Sequence, residues 1–365
     1  MNLQKRLIGP CGEFLSQDDD VRVDLNSFLQ RLILFDTYIL YSTRLKEIPH
    51  LVDAFGYKGM LELLKSGVLR IHCDGVITGQ IGQNALIRRS KRILPYGSYS
   101  FATVRASDRD EYIGHCLLEI NKAKNISKKQ AGKLESAVVS VLEKQRKDAG
   151  IDTMNQFKED VLNNAPVVKN SIKERLQAKF GIDAGNTDFM IKVHSIDDAD
   201  YRVETDLNTI FDLNEIQIHK FIEGALLEVA HLNQRVEEMR NYSALSCFTD
   251  SNLSLFENKF QFLLDGIPQN RHETQMTRIL SINSLPSLAP NEIDAHIEIT
   301  KLLKIRKSRE CREFRDWLST AADKSDADIY DQINCLSSKL NSIIYSKKGR
   351  IIRFLISTGL SSIPL

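Results

Sequence analysis

The stretch that decides the predicted fold runs from Leu32 to Asp74, with LILFDTYIL at 32–40 and VLRIHCD at 68–74. Each apolar run ends in an acid, Asp36 after the first and Asp74 after the second. We interpret this order as a strand, a crossover helix and a second strand, which form a right-handed parallel βαβ unit. An acid at the carboxyl end of such a strand lies where open α/β sheets bind their ligands.

Helical signals fill the chain between the two predicted strands. Pro49 fits the first turn of a helix, where its missing N–H has no partner to lose. Gly56 is predicted to end that helix in a left-handed conformation, and Gly67 is predicted to end a second short helix in the same way. The crossover is therefore expected to be a broken helix whose apolar side covers the sheet.

The first 210 residues show further short elements around this unit. We predict a polar lead-in over 1–20, a strand over 99–105, a helix opening at 108–111, and helices over 131–146, 154–162 and 171–180. Runs at 189–194 and 201–205 predict a β-hairpin with an acidic turn at 197–200. A turn is favoured over a calcium loop, because the twelve-residue loop pattern is missing.

From Asp212 onward the pattern becomes strongly helical. Apolar residues recur at alternating spacings of four and three, and they are Ile218, Ile222, Ala225, Val229, Leu232, Val236 and Met239. A second seam of this kind runs from Ile329 to Ile343. We predict an α+β protein that is predominantly α, with a small α/β domain at 1–120, a mixed helical segment with a hairpin at 121–210 and a helical domain at 211–365.

Composition excludes several classes of protein. The 365 residues carry 49 basic and 48 acidic side chains, a formal charge of +1, which argues against a dedicated nucleic-acid binder. The six cysteines are scattered, which favours reduced thiols in a cytoplasmic protein over a disulfide framework. They are Cys11, Cys73, Cys116, Cys247, Cys311 and Cys335.

The carboxyl-terminal segment 351–365 is mostly apolar or small, and it is shorter than the roughly 20 residues that span a bilayer. We interpret it as a final amphipathic helix docked on the core. The alternative is a truncated chain whose natural continuation is membrane-active or oligomerising, in which case 351–365 contacts a membrane.

Complete catalytic signatures are missing from the sequence. It contains no Walker A loop, no GxGxxG, no GxSxG and no HExxH. Glu215, His219 and Glu223 share one helix face, which fits a metal site but fits a polar interhelical stripe better. The basic segment 121–129 is interpreted as a solvated linker or helix face, and the helix around Trp317 as core packing with a partner-binding alternative.

Residues 32–40 resemble the opening strand of PIN-domain nucleases, in which an aspartate followed by threonine helps to hold a divalent metal. The resemblance implies catalytic roles for Asp36, Glu62 and Asp110, with Asp74 and Asp108 as alternative acids. It implies that Asp36 and Asp110 bind Mg²⁺ or Mn²⁺, which would activate water for phosphodiester attack. No other cofactor is predicted.

Residues 31–74 and 310–318 also resemble uncharacterised bacterial proteins associated with antiviral defence. That resemblance implies a host-defence role and transfers no catalytic residue. Together with the helical seams, it favours an intracellular bacterial interaction or effector-type protein that engages a protein partner or a second copy. The alternative is a PIN-like nuclease centred on Asp36, and only this alternative requires nucleic acid.

Overall fold

The computed structural model describes residues 6–15, 20–42, 44–73, 76–81, 96–104, 109–144, 149–185, 187–195, 200–211, 213–246, 259 and 299–318. Its strands are β1 (Arg6–Gly9), β2 (Gly12–Leu15), β3 (Asp20–Val23), β4 (Thr37–Tyr41), β5 (Leu69–His72), β6 (Val76–Ile81), β7 (Tyr96–Val104), β8 (Ile191–Ser195), β9 (Asp200–Thr205) and β10 (Leu245–Ser246). Its helices are α1 (Leu25–Leu34), α2 (Glu47–Lys65), α3 (Arg109–Leu117), α4 (Lys128–Val141), α5 (Ala149–Asn163), α6 (Ala165–Phe180), α7 (Leu207–Ile210), α8 (Glu215–Tyr242), α9 (Ile299–Arg306) and α10 (Arg309–Leu318). A 3-10 helix spans Leu118–Lys122.

A four-stranded parallel sheet forms the centre of the amino-terminal part. Its spatial order is β10-β1-β4-β5, with Leu7 paired to Tyr38 and Tyr38 paired to Leu69 across the central strands. The chain moves from β1 through β4 to β5 in one direction, and β10 then joins on the other side of β1. This reversal makes the β1/β10 boundary the topological switch point of the sheet.

The predicted crossover is confirmed as β4, α2 and β5. Helix α2 is interrupted at Gly56, whose φ of 70° and ψ of 160° lie outside helical geometry. Gly67 follows the helix with a φ of 73°, a left-handed conformation that glycine adopts without steric cost. Gly67 therefore has the positive φ that was predicted at the end of the helix, whereas Gly56 kinks α2 with an extended ψ and does not end it in a left-handed conformation.

The first predicted strand was wrong. Leu32 and Ile33 lie in α1, and the strand begins after Asp36 and runs over Thr37–Tyr41. Phe28, Leu29 and Leu32 explain the error, because all three are buried at helical spacing on one side of α1. An apolar run at the end of a buried helix looks like a buried strand in a short window.

The predicted polar lead-in was also wrong. The segment contains β1, a central strand of the parallel sheet, and β2, which pairs with β3 in an antiparallel hairpin. Leu7 and Ile8 of β1 are both fully buried, on opposite sides of the sheet. Four residues are too few for an alternating pattern to stand out from the sequence.

The core of the amino-terminal part lies on one side of the parallel sheet. Leu7, Tyr38 and Ile71 contribute from the strands, and helices α1, α2 and α4 cover them. The late helix α9 returns to this core through Ile299 and Leu302, both of which are buried. The domain boundaries at 120 and 210 stay predictions, but the core of the first part includes residues from beyond 298.

A second core is built from α5, α6, α8 and an antiparallel sheet of order β6-β7-β9-β8. The hairpin of β8 and β9 is confirmed, with Val193 paired to Val203. The seam of α8 is also confirmed, since Ile218, Ala225 and Val229 are fully buried. The structure is thus α+β and mostly helical, as predicted, while the second seam at 329–343 lies outside the described residues.

Candidate functional site

The carboxyl edge of the parallel sheet carries two clusters of polar side chains, one on each side of the sheet. Strand β1 leads there to Cys11, β4 to Ser42, and β5 ends at His72. The Ser42 N–H donates a 2.9 Å hydrogen bond to the His72 carbonyl, so the ends of β4 and β5 are joined at this edge. Carboxyl edges of parallel strands are where ligands bind in open α/β sheets.

The first cluster centres on Glu47, the first residue of α2. The Ser42 hydroxyl donates a hydrogen bond to Glu47 Oε2, and the Leu45 N–H donates to the same hydroxyl at 2.8 Å. Leu45 has a φ of 55°, an uncommon backbone conformation for a leucine. The loop after β4 is therefore held in a strained shape that fixes Glu47 against Ser42.

Burial perturbs the Glu47 carboxyl. Its side chain is largely removed from water, and this desolvation raises the pKa above its ordinary value, while the Ser42 hydrogen bond and the charge of His50 oppose the rise in part. Burial, followed by the nearby Glu47 charge, also raises the pKa of Cys11 far above its usual range. A carboxyl group whose pKa is raised by burial at the carboxyl edge of a sheet is a candidate acid–base group.

Arg31 and Tyr38 support the end of β1 beside this cluster. The Tyr38 hydroxyl donates to the Gly9 carbonyl at 2.8 Å, and Arg31 donates to both the Pro10 carbonyl and the Tyr38 oxygen. Both side chains therefore order the backbone between β1 and β2. The guanidinium group of Arg31 also brings a positive charge to this edge.

The second cluster lies on the opposite side of the sheet, where β5 meets the end of α8. His72 Nδ1 lies 2.8 Å from the Tyr242 hydroxyl, and His72 Nε2 lies 3.4 Å from Glu238 Oε1. The His72 and Glu238 side chains are each only 1% exposed. Tyr41 stacks on the His72 ring with centroids 5.3 Å apart, and the Arg235 guanidinium lies over Tyr41.

The residues predicted from sequence lie elsewhere. Asp36 precedes β4 and therefore sits at the amino edge, about 20 Å from Ser42 at roughly 3.3 Å per residue. Its Oδ1 lies 2.8 Å from Arg315 Nε and 3.8 Å from Arg306 Nη2. Arg306 donates to the Leu32 and Phe35 carbonyls and Arg315 to that of Ile33. Asp36 thus takes part in holding α9 and α10 against the end of α1.

Glu62 and Asp110 have separate surroundings. Glu62 Oε2 accepts a 2.7 Å hydrogen bond from the Thr300 hydroxyl, and Asp110 lies exposed in the first turn of α3. Among the described residues, no three histidines, cysteines or acids are grouped closely enough to hold a metal ion. Asp36, Glu62 and Asp110 therefore do not share one cluster, and neither do Glu215, His219 and Glu223. Asp74, Asp108 and the acids at 197–199 lie outside the described ranges.

Sequence reasoning missed Ser42, Glu47 and Glu238. A signal for the first two was present, because a serine directly after an apolar strand and an acid at the start of the next helix mark a carboxyl edge. Placing the first strand five residues too early moved that edge to Asp36. No local signal connects Glu238 with His72, because they are 166 positions apart in the chain.

Glu47→Gln tests the raised pKa directly. A carboxyl whose folded pKa is raised stabilises the fold fully below its unfolded value near 4.5, and that stability is lost as pH rises through the folded pKa. We expect the free energy of unfolding of the unmodified chain to fall relative to Glu47→Gln as pH rises from about 4 to 8 in urea titrations. Ser42→Ala removes a hydrogen bond that lowers this pKa, so it should enlarge the difference. Parallel curves for the unmodified chain and Glu47→Gln would contradict the raised pKa.

Comparison with known proteins gives no relative from which the site could be interpreted. No family model, curated protein or solved structure matches this chain. Within the described ranges, none of the helices combines the length and apolarity needed to cross a membrane. The class that the described residues define is an α+β protein with a parallel sheet whose carboxyl edge holds buried ionisable groups.

Proposed function

We propose that the carboxyl edge of the parallel sheet is an acid–base site for a phosphorylated small molecule. The observation that carries this proposal is the buried Glu47 carboxyl, which has a raised pKa and is held by Ser42 at the end of β4. In this proposal Glu47 acts as the general acid or base, and the strained loop before it fixes its position.

Positive charge at the same edge supports an anionic ligand. Arg44 is exposed in the loop that joins β4 to α2, and the buried Lys46 directly precedes Glu47 and opposes the rise of its pKa. Arg31 lies close enough to Cys11, at the same edge, for its charge to act on that thiol. Helix α2 begins at Glu47, so the positive end of its dipole opens at this edge. An approaching phosphate would therefore meet backbone N–H groups and positive side chains at this edge.

The test uses the full chain with ADP and glucose 6-phosphate as probes, and with adenosine and glucose as uncharged controls. Saturation-transfer NMR should show binding of the phosphorylated probes only, and Arg44→Ala should weaken that binding about tenfold, near 1.4 kcal/mol. Glu47→Gln should retain the binding, because the proposal assigns this carboxyl to proton transfer and not to recognition of the phosphate. The proposal fails if the phosphorylated probes do not bind or if Arg44→Ala binds them equally well.

A second proposal is partner binding by the helical part, as the sequence suggested. Large apolar side chains are exposed around the amino-terminal end of α8, namely Phe180, Ile210 and Ile216, the last of which is 69% exposed. Phe180 packs on the buried Phe221 with ring centroids 6.1 Å apart, which fixes part of this surface. Light scattering should show self-association that Ile216→Asp abolishes, and a concentration-independent monomer would count against a homo-oligomer.

The nuclease and defence hypotheses stay predictions. Asp36→Asn should abolish Mg²⁺- or Mn²⁺-dependent cleavage of RNA or DNA if Asp36 is a metal ligand, and unchanged cleavage would remove that role. The ion pairs of Asp36 with Arg306 and Arg315 favour a structural role instead. The defence role predicts that the gene protects a bacterial host in a phage challenge. The apolar segment 351–365, with its predicted membrane contact, lies outside the described residues.

A further inference from the structure

Two buried thiols meet where the end of β5 lies beside α3. Cys73 directly follows β5 and is fully buried, while Cys116 is 5% exposed on α3. Both are free thiols, and their sulfur atoms are within hydrogen-bonding distance of one another. They are 43 positions apart in the chain, so the fold alone creates this pair.

The surroundings of Cys116 favour its thiolate. Its pKa is lowered chiefly by the hydrogen bond with Cys73, and further by a hydrogen bond with Tyr112 and the positive charge of Arg44, although burial opposes the shift. Burial raises the pKa of Tyr112, so its phenol stays protonated and can donate to the sulfur. Cys11 is a contrasting case, because burial and the charge of Glu47 raise its thiol pKa. The thiolate is the reactive form of cysteine.

Access of a reagent to the two thiols depends on how easily helix α3 opens. Helix α3 has nine residues and contains Gly114, which costs about 1 kcal/mol relative to alanine in a helix interior. Over residues 110–117 of this helix, Ile113 and Cys116 are buried, and Tyr112 and Leu117 are partly buried against the core. The side chains of Glu111 and His115 are 70% and 74% exposed. A short helix with few buried contacts opens at low free-energy cost, and such opening would expose Cys116.

We propose that Cys116 and Cys73 form a reversible redox-modification site that reacts with low-molecular-weight disulfides. The Cys116 thiolate attacks one sulfur of oxidised glutathione, forms a mixed disulfide and releases one glutathione thiolate. Cys73 then loses its proton and attacks Cys116 Sγ, which releases the second glutathione. Overall, two protein thiols are oxidised to one disulfide, and one glutathione disulfide is reduced to two thiols.

The product would link α3 covalently to the end of β5. Cys73 adjoins His72, which belongs to the polar cluster with Glu238 and Tyr242. Oxidation would therefore hold α3 at the end of β5, beside the carboxyl edge, and reduction would release it. The proposal does not depend on the phosphorylated ligand, because its test measures only the state of the thiols.

The test treats the folded full chain with oxidised and reduced glutathione at several ratios and maps peptides without reduction. We expect a Cys73–Cys116 linked peptide that reduction reverses. Cys73→Ser should instead accumulate glutathione on Cys116, whereas Cys116→Ser should leave Cys73 unmodified. Tyr112→Phe should slow the reaction of Cys116 severalfold.

Cys11→Ser is the matched control, since it removes a buried thiol whose environment disfavours the thiolate. It should leave the linked peptide and its rate unchanged. The proposal is overturned if Cys116 stays unmodified at every ratio, or if Cys11 reacts as fast as Cys116. Circular dichroism of each serine variant confirms that the comparison is between folded chains.

Discussion

His72→Ala is expected to lower the free energy of unfolding by about 3–5 kcal/mol, because it leaves the buried Glu238 without its partner. Both Glu238 oxygens lack a hydrogen bond, and the His72 imidazole is a polar group beside them, with Nε2 3.4 Å from Oε1. The substitution also removes a ring that stacks on Tyr41 and contacts the Tyr242 hydroxyl. Urea unfolding followed by circular dichroism measures the loss.

A pair with the same chemistry on the surface provides the control. His194 Nε2 lies 3.5 Å from Glu204 Oε1, but the His194 side chain is 52% exposed. His194→Ala should cost less than about 1 kcal/mol, because water screens an exposed pair. A double variant with His72→Phe and Glu238→Met should recover most of the loss, since it removes both buried polar groups. Equal losses for His72→Ala and His194→Ala would contradict the assignment.

Asp160→Ala is expected to produce a loss of similar size, about 3–5 kcal/mol, in the second core. Asp160 Oδ2 lies 2.6 Å from Lys259 Nζ and accepts a 2.6 Å hydrogen bond from Asn233 Nδ2. The Asp160 and Lys259 side chains are 1% and 3% exposed. Without the carboxylate, the lysine charge loses its partner inside the protein, and the Asn233 amide loses one of its two hydrogen bonds and keeps the one to the Val229 carbonyl. Urea unfolding again gives the magnitude.

An exposed ion pair provides the control for Asp160→Ala, because it has the same two charges without their burial. Lys169 Nζ and Asp188 Oδ1 are 2.7 Å apart, and the Asp188 side chain is 92% exposed. Asp188→Ala should therefore leave the urea midpoint unchanged within error. The double variant with Asp160→Ala and Lys259→Met should be more stable than Asp160→Ala alone, because it removes the unpaired charge. A double variant that is less stable would refute this account of the cluster.

Local patterns in the sequence were enough to predict several elements. The break of α2 at Gly56, the strand that ends at His72 and the seam of α8 follow from residue type and spacing alone. The hairpin of β8 and β9 follows from two β-rich runs separated by turn residues. These features depend on neighbours within about ten positions, which is the range over which periodicity carries information.

The wrong predictions concern elements that depend on contacts between residues far apart in the chain, which no short stretch of sequence contains. Residues 32–34 are helical because α1 packs its apolar side against the core, and β1 is a strand because β4 and β10 pair with it. The candidate site was missed for the same reason, since Glu238 contacts His72 only because the fold brings the end of α8 beside the end of β5. Neither partner of such a pair carries a signal in its own neighbourhood.

The sequence by itself determined the fold class, the broken crossover helix and the long seam helix, because apolar spacing selects helix or strand locally. Only the tertiary structure decided which edge holds the ionisable groups. It placed Asp36 at the amino edge against Arg306 and Arg315, and it brought Ser42 and Glu47 to the carboxyl edge. The physical reason is that burial and charge pairing depend on which distant segments of the chain come into contact. The order of the strands in the sheet determines those contacts.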